Sequence, residues 1–302
     1  MASERACSAF PLFGPYARPI RFARAMSTEA PPIRSTEPPP GAPALGSRLW
    51  LYTNFDCNLA CDYCCSQSSP QAPPRRLAPE VARRACEEFA GLGGREILLT
   101  GGEPFLAPDL GEVIEAAARW VPVTILTNAM LLSRGTRRRT LESLDPARVT
   151  MQVSLDSGTA ALHDAHRGQG SFDRARAGIE LLRSLGFRVR VAATVDDADA
   201  SEEAALHALL DADGISGEDR LIRRVARTGF ADWGVELTLD SLWPEPTLTA
   251  DGAWWHPVGI ADPAMQVASA PLPVVTVIAV MRATLNDPER PRGAALEAFR
   301  CT

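Results

Sequence analysis

The sequence concentrates its cysteines in one short segment. Four of the seven lie between residues 57 and 65, and three of these, Cys57, Cys61 and Cys64, form a CxxxCxxC pattern. Three thiolates on one loop can hold three corners of a cubane 4Fe–4S cluster and leave the fourth iron open for chemistry. Such crowding in a chain of 302 residues favours metal ligation in a reducing compartment over a disulfide framework.

Two other interpretations of the cysteine segment stay open. A zinc site usually takes four ligands in two pairs, and no second CxxC or CxxH pair follows downstream. A structural cluster of thiols without metal is the second alternative. Cys65, next to Cys64, is expected to be a buried structural thiol, and Cys86 is expected to belong to the core.

Three further groups of polar residues each follow a short apolar run. They are Gly101-Gly102-Glu103-Pro104, Thr127-Asn128 and Ser154-Leu155-Asp156. Glycine lets the backbone approach a ligand closely, and a carboxylate can accept hydrogen bonds from an ammonium group. A ligand-binding site is therefore expected where these apolar runs end.

The apolar runs alternate with helical patterns. Short strands are predicted at residues 49–52, 96–100, 123–126, 149–155, 187–194 and 221–226, and helices at 79–92, 109–120, 172–185 and 201–210. This alternation predicts βα units and a parallel sheet, either doubly wound or closed towards a barrel. The barrel is favoured because the polar groups follow the strands' carboxyl ends, which converge on one mouth in that fold.

These motifs, in this order, resemble the radical S-adenosylmethionine (SAM) superfamily, from residue 49 to residue 227. The resemblance covers CxxxCxxC with Tyr63 before the last cysteine, GGEP, Thr127-Asn128 with Ala129 where relatives often have glycine, and SLD followed by His163-Asp164 and Arg167-Gly168. It implies an α/β fold, a partial (β/α)6 TIM-like barrel. It also implies one 4Fe–4S cluster on Cys57, Cys61 and Cys64, with SAM bound at the open iron.

The resemblance further implies the residues that meet SAM. They are Tyr63, Gly101, Gly102, Glu103, Thr127, Asn128, Ser154, Asp156 and Arg167. Reductive cleavage of SAM would yield a 5′-deoxyadenosyl radical that abstracts hydrogen from an unknown substrate, a peptide or a small molecule. No catalytic residue is assigned beyond the cluster, and an electron donor such as flavodoxin or ferredoxin is expected. The alternative is a non-catalytic iron–sulfur or zinc-binding protein on the same scaffold.

The region after the predicted barrel indicates which branch of the superfamily this chain resembles. Three segments are expected: a disordered extension at 1–47, the barrel at 48–230, and a C-terminal extension with a hairpin at 231–302. The hairpin turns at Asp251-Gly252 and resembles the xDGxxxxC start of a peptide-modifying extension, with His256 in the cysteine position. Only Cys301 follows, so auxiliary clusters are not expected. A last apolar strand is predicted at residues 274–281.

Composition excludes several other functions. All 31 cationic residues are arginine, so no lysine serves as Schiff base, general base or phosphate ligand. The net charge of −6 argues against nucleic-acid binding, and clusters such as Arg223-Arg224 are interpreted as solvated faces. No apolar run approaches the roughly 18 residues of a membrane span. Because any cation in the site must be arginine, Arg167 is the candidate partner of a carboxylate.

The N-terminal region leaves two interpretations open. Residues 1–47 hold nine of the 25 prolines, and before Met26 four arginines stand against one acid, Glu4. This stretch is either an organelle transit peptide or a tail ahead of a true start at Met26; the tail, and a cytoplasmic location, are favoured. A third functional hypothesis is a carrier or maturation partner that acts through residues 1–47.

Overall fold

A computed structural model describes residue 38, residues 42–196 and 200–289, and residue 299. The predictions for residues 1–37, including the extension and Met26, and the role of Cys301, lie outside the described residues. The described part is built on one nine-stranded sheet in the order β6-β5-β4-β3-β2-β1-β7-β8-β9.

The first six strands are parallel and follow their order in the chain. They are β1 (Arg48–Tyr52), β2 (Glu96–Thr100), β3 (Val123–Thr127), β4 (Val149–Ser154), β5 (Arg188–Val195) and β6 (Arg220–Arg224). A doubly wound sheet would reverse direction at a switch point, and no reversal occurs among these six strands. The predicted partial TIM-like barrel is confirmed.

Six helices connect these strands. They are α1 (Pro79–Gly91), α2 (Leu110–Ala118), α3 (Gly135–Ser143), α4 (Ala160–Arg167), α5 (Ser171–Ser184) and α6 (Ala200–Ala212). Sequence patterning did not predict α3 or α4. Helix α3 is rich in arginine and buries only Leu141, so it has no apolar stripe to detect.

Alternate strand residues face opposite sides of the sheet. In β1, Leu49 and Leu51 join the large core beneath the helices, whereas Trp50 and Tyr52 belong to other clusters on the concave side. Polar residues on that concave side, such as Thr100 and Ser154, reach the carboxyl ends of their strands. The two-residue period therefore separates the core from the surface that can hold ligands.

The C-terminal segment extends the same sheet. Strand β7 (Thr247–Thr249) pairs in parallel with β1, and β8 (Gly252–Trp254) returns antiparallel to β7, followed by β9 (Gln266–Ala268). The predicted hairpin is confirmed, but its two turn residues are Ala250 and Asp251, and Gly252 is already the first residue of β8. Gly252 has φ +139°, a value that L side chains rarely adopt.

The strand predicted at residues 274–281 is wrong. This segment is helix α7 (Val274–Leu285), which begins directly after Pro273. Its buried residues are Val274, Val277, Ile278 and Met281, and this spacing of three and four places them on one helical face. The continuous apolar run concealed a helical period. None of the helices in the described ranges has the length and apolar character needed to cross a membrane.

Candidate active site

The cysteine segment forms a loop directly after β1. Cys57 is buried, and Cys61 and Cys64 are partly exposed. All three line one cavity at the carboxyl ends of the strands, which holds about 160 Å³ of space open to water. We call it the strand-end cavity; it is also lined by Tyr63, Cys65, Gly101, Gly102, Thr127, Asn128, Ser154, Arg167, Thr194, Arg223 and Arg224.

The two glycines of the GGEP turn hold the cysteine loop in place. A Cβ on Gly102 would lie 2.3 Å from the carbonyl oxygen of Asp56, and one on Gly101 would lie 2.5 Å from Oδ1 of Asn54. The Gly102 N–H donates to the Asn54 carbonyl at 3.0 Å. Both glycines line the cavity, but the contact that excludes a side chain is with the chain's own loop.

Glu103 joins the ends of β2 and β3. Its carboxylate accepts hydrogen bonds from the hydroxyl of Thr127 (2.8 Å) and the N–H groups of Asn128 (2.8 Å) and Phe105 (3.1 Å). The side chain is buried, and burial raises the pKa of Glu103 despite these hydrogen bonds. The structure thus shows Glu103 in a positioning role, and it is not among the residues that line the cavity.

The loop after β3 lies against the cysteine loop. The Asn128 side-chain amide donates to Oδ1 of Asn58 at 2.9 Å, and the Thr127 hydroxyl oxygen accepts from the Ala129 N–H at 3.0 Å. Ala129 has φ +58°. Because glycine adopts this left-handed region without steric cost, the conformation accounts for the glycine that relatives often have at this position.

Asp156 and Arg167 form a buried ion pair beside the cavity. The Arg167 Nε donates to Oδ2 of Asp156 at 2.5 Å and Nη2 donates to Oδ1 at 3.0 Å; the two side chains are 9% and 2% exposed, Arg167 first. The Tyr63 hydroxyl also donates to Oδ2, and the Thr194 N–H donates to Oδ1 at 3.0 Å. Burial raises the pKa of Asp156, but the charge of Arg167 outweighs it and holds that pKa below its usual value.

The ion pair leaves part of Arg167 available to a ligand. Asp156 takes two of its five N–H donors, and the prediction that Arg167 meets a cosubstrate carboxylate stays a prediction. Its charge still acts on the cysteine loop, because it opposes the burial that raises the pKa of Cys61 to about 11. Tyr63, placed by Asp156, lies with its ring centre 5.5 Å from the Arg167 guanidinium carbon.

The other residues of the SLD-to-RG stretch support this arrangement. The Asp156 N–H donates to Nδ1 of His163 at 3.1 Å, and burial lowers the pKa of His163 to about 4. Asp164 accepts from the N–H groups of Gly170 (2.6 Å) and Phe172 (2.9 Å), and so fixes the start of α5. These residues position the site without lining the cavity.

Two sequence predictions need correction. Arg223 is not part of a solvated face: it is half-buried, lines the strand-end cavity and donates from Nε to the Thr194 hydroxyl at 3.2 Å. Cys65, expected to be a buried structural thiol, is partly exposed and lines the same cavity as the three motif cysteines. His256 is buried; its Nδ1 accepts from the Val258 N–H at 3.2 Å, and burial lowers its pKa to about 3.

The donor set fits an iron–sulfur cluster. Burial raises the pKa of Cys57 to about 12, so metal binding must supply the energy to remove that proton. Within the described part of the chain, no three His, Cys, Asp or Glu side chains converge on a single metal ion. The three thiols line the same cavity without converging on one point. This arrangement suits a cluster, because each thiolate binds a different iron.

Comparison with known proteins agrees with the site. Residues 51–197 match the model of the Radical SAM superfamily. The AdoMet-dependent heme synthase of Methanosarcina barkeri is 34% identical over 142 residues, which are 46% of this chain and 40% of that protein. Mycofactocin maturase MftC of Mycolicibacterium smegmatis is 32% identical over 160 residues, 52% of this chain and 40% of the relative.

The fold agrees as well. The crystal structure of Streptococcus suis SuiB bound to precursor peptide SuiA superposes with a TM-score of 0.52 at 18% identity, over 65% of this chain and 43% of that one. This chain spans about two fifths of the length of these curated relatives. The superfamily uses a 4Fe–4S cluster and SAM, and the CxxxCxxC loop and the GGEP turn both fall within the matched residues. Residues 51–197 therefore constitute a radical SAM domain.

Proposed function

We propose that this chain is a radical SAM enzyme that modifies a peptide. The observation that carries the proposal is the lining of the strand-end cavity. It contains the three cysteines of the CxxxCxxC loop together with the glycine turn and polar strand ends that the superfamily resemblance predicts as SAM contacts. When bound, a reduced 4Fe–4S cluster supplies one electron to SAM, whose cleavage yields methionine and a 5′-deoxyadenosyl radical that abstracts hydrogen from substrate.

The chain's own residues would bind, orient and shield the reactants. Cys57, Cys61 and Cys64 would hold the cluster, and the buried Asp156–Arg167 pair would fix Tyr63 beside it. Ser154, Thr127 and Asn128 would meet SAM from strands β4 and β3. Glu103 would fix the backbone at Asn128 and so position the residues that meet SAM.

A peptide substrate is supported by the structure that shares this fold. SuiB holds a precursor peptide, and this cavity is bordered on one side by edge strand β6 and on another by the segment after β8. An electron donor such as flavodoxin or ferredoxin completes the proposal, as does a reducing, cytoplasmic setting for the thiols.

Anaerobic reconstitution tests the proposal. We expect about four irons per chain, bound through Cys57, Cys61 and Cys64, and 5′-deoxyadenosine after addition of dithionite and SAM. If the chain binds four irons but forms no 5′-deoxyadenosine with several reductants, it is a non-catalytic iron–sulfur protein and the proposal fails. Zinc in place of iron after anaerobic purification would overturn the cluster itself.

A further inference from the structure

The strand-end cavity contains three arginines, and their partners differ. Arg167 is paired with Asp156, and Nη1 of Arg224 lies 3.5 Å from Oε2 of Glu203 on α6. Arg223 donates a hydrogen bond from Nε to the hydroxyl of Thr194. Within residues 42–196 and 200–289, no carboxylate forms an ion pair with Arg223.

Arg223 is a half-buried guanidinium whose described surroundings hold no counter-charge, and such a group is suited to bind an anion. Removing a charge from water costs free energy unless an opposite charge compensates it. A guanidinium has five N–H donors in a planar fork that matches a carboxylate, and the hydrogen bond to Thr194 uses only one of them. The nearby His256 cannot compete for an anion, because its low pKa of about 3 keeps it neutral.

Arg223 and Arg167 reach the cavity from different elements. Arg167 ends helix α4 and its charge acts on Cys61, whereas the charge of Arg223 acts on Cys65. Arg223 lies on β6, an edge strand of the sheet, and pairs in register with Thr194. Pro257 and Val258, which follow β8, line the cavity as well. The cavity therefore extends from β6 to the segment after β8.

We infer that Arg223 binds a carboxylate of the substrate and selects peptides that carry one near the modified residue. The carboxylate would belong to an Asp or Glu side chain or to a free C-terminus. This inference rests on the proposed function, since it assigns a substrate feature to the same cavity.

A peptide selection tests this assignment even though the natural substrate is unidentified. The full chain is reconstituted anaerobically, loaded with SAM, and used to enrich binders from a random-peptide library displayed on messenger RNA. We expect enrichment of acidic residues at one position or of a free C-terminus. The best peptide should bind about tenfold more weakly when that carboxyl group is replaced by an amide.

Variants on β6 make the test specific. In Arg223→Met and Arg223→Gln the acid-to-amide penalty should fall below about twofold. In Arg220→Met it should remain about tenfold, because Arg220 is on the same strand but is paired with Asp211 and does not line the cavity. Paired Asp-to-Asn and amidated peptides distinguish side-chain from C-terminal carboxylates. Thermal unfolding of each variant checks that it is folded.

Three results would overturn the inference. The wild-type protein could show no preference for a carboxylate, or the penalty could persist in both Arg223 variants. The dissociation constant for SAM could rise tenfold in those variants, which would assign Arg223 to the cosubstrate. Failure of the proposed function is visible separately, as a reconstituted wild-type protein that makes no 5′-deoxyadenosine.

Discussion

Replacing Asp156 with asparagine should destabilise the protein strongly. The carboxylate accepts two hydrogen bonds from Arg167, one from Tyr63 and one from the Thr194 N–H, and the ion pair is almost fully buried. In Asp156→Asn the charge is lost, and an amide N–H₂ group must face either Arg167 or another donor. The buried guanidinium is then left without a counter-charge.

The magnitude follows from that uncompensated charge. Removing one partner of a buried ion pair costs about 3–5 kcal/mol of unfolding free energy, and the lost hydrogen bonds are included in that range. Removing both partners costs less, because no unpaired charge remains. The double variant Asp156→Asn/Arg167→Met should therefore be more stable than the sum of the single losses by at least about 2 kcal/mol.

Urea unfolding of the apo-protein at pH 7, followed by tryptophan fluorescence, measures these differences. Asp62→Asn is the matched control, since Asp62 pairs with His166 at 2.8 Å but is 44% exposed; it should cost less than about 1 kcal/mol. A loss below about 1 kcal/mol for Asp156→Asn would refute the argument. Simple additivity of the two single variants would refute it equally.

Three further predictions concern the loops, a histidine and the last helix. Gly102→Ala and Gly229→Ala should reduce the iron bound after reconstitution, because each new Cβ would lie 2.2–2.3 Å from a carbonyl oxygen of the cysteine loop. The control Gly217→Ala should bind iron normally, since its new Cβ would have no atom within 4 Å. His256 should make the unfolding free energy fall as the pH drops below about 6.5, because between that pH and about pH 3 only the unfolded state binds the proton. The variant His256→Asn should therefore reduce the slope of unfolding free energy against pH by about 1.4 kcal/mol per pH unit between pH 6 and 4. An unchanged slope would contradict this. Val277→Asp should lower the melting temperature severely and Thr276→Asp should not, because only Val277 is on the buried face of α7; equal effects would be incompatible with a helix there.

Sequence patterning predicted the barrel strands well because each is a short apolar run that ends in a polar motif. Strand β2 was predicted at its observed bounds, residues 96–100, and strand β1 within one residue. The prediction failed where an apolar run is buried in a helix. In Val274–Leu285 almost every residue is apolar, so the sequence alone does not show which residues are buried. The helical spacing of three and four becomes visible only from the residues that pack against the core.

Sequence patterning predicted which motifs meet at the strand ends better than it predicted how their side chains pair. The CxxxCxxC loop, the glycine turn and Ser154 all line one cavity, as expected from strands that end at one mouth. The partner of Arg167 depends on how α4 lies against the end of β4, which no local pattern encodes. Sequence patterning interpreted Arg223 and Arg224 as a solvated face because adjacent arginines usually face water, whereas both line the cavity.

The production of 5′-deoxyadenosine by cysteine variants tests the central claim most directly. Wild-type chain, Cys61→Ser and Cys65→Ser are each reconstituted anaerobically and incubated with SAM and dithionite. The account predicts product from the wild-type chain and from Cys65→Ser, and none from Cys61→Ser. Equal product from Cys61→Ser and the wild-type chain would contradict the assignment of the cluster to Cys57, Cys61 and Cys64.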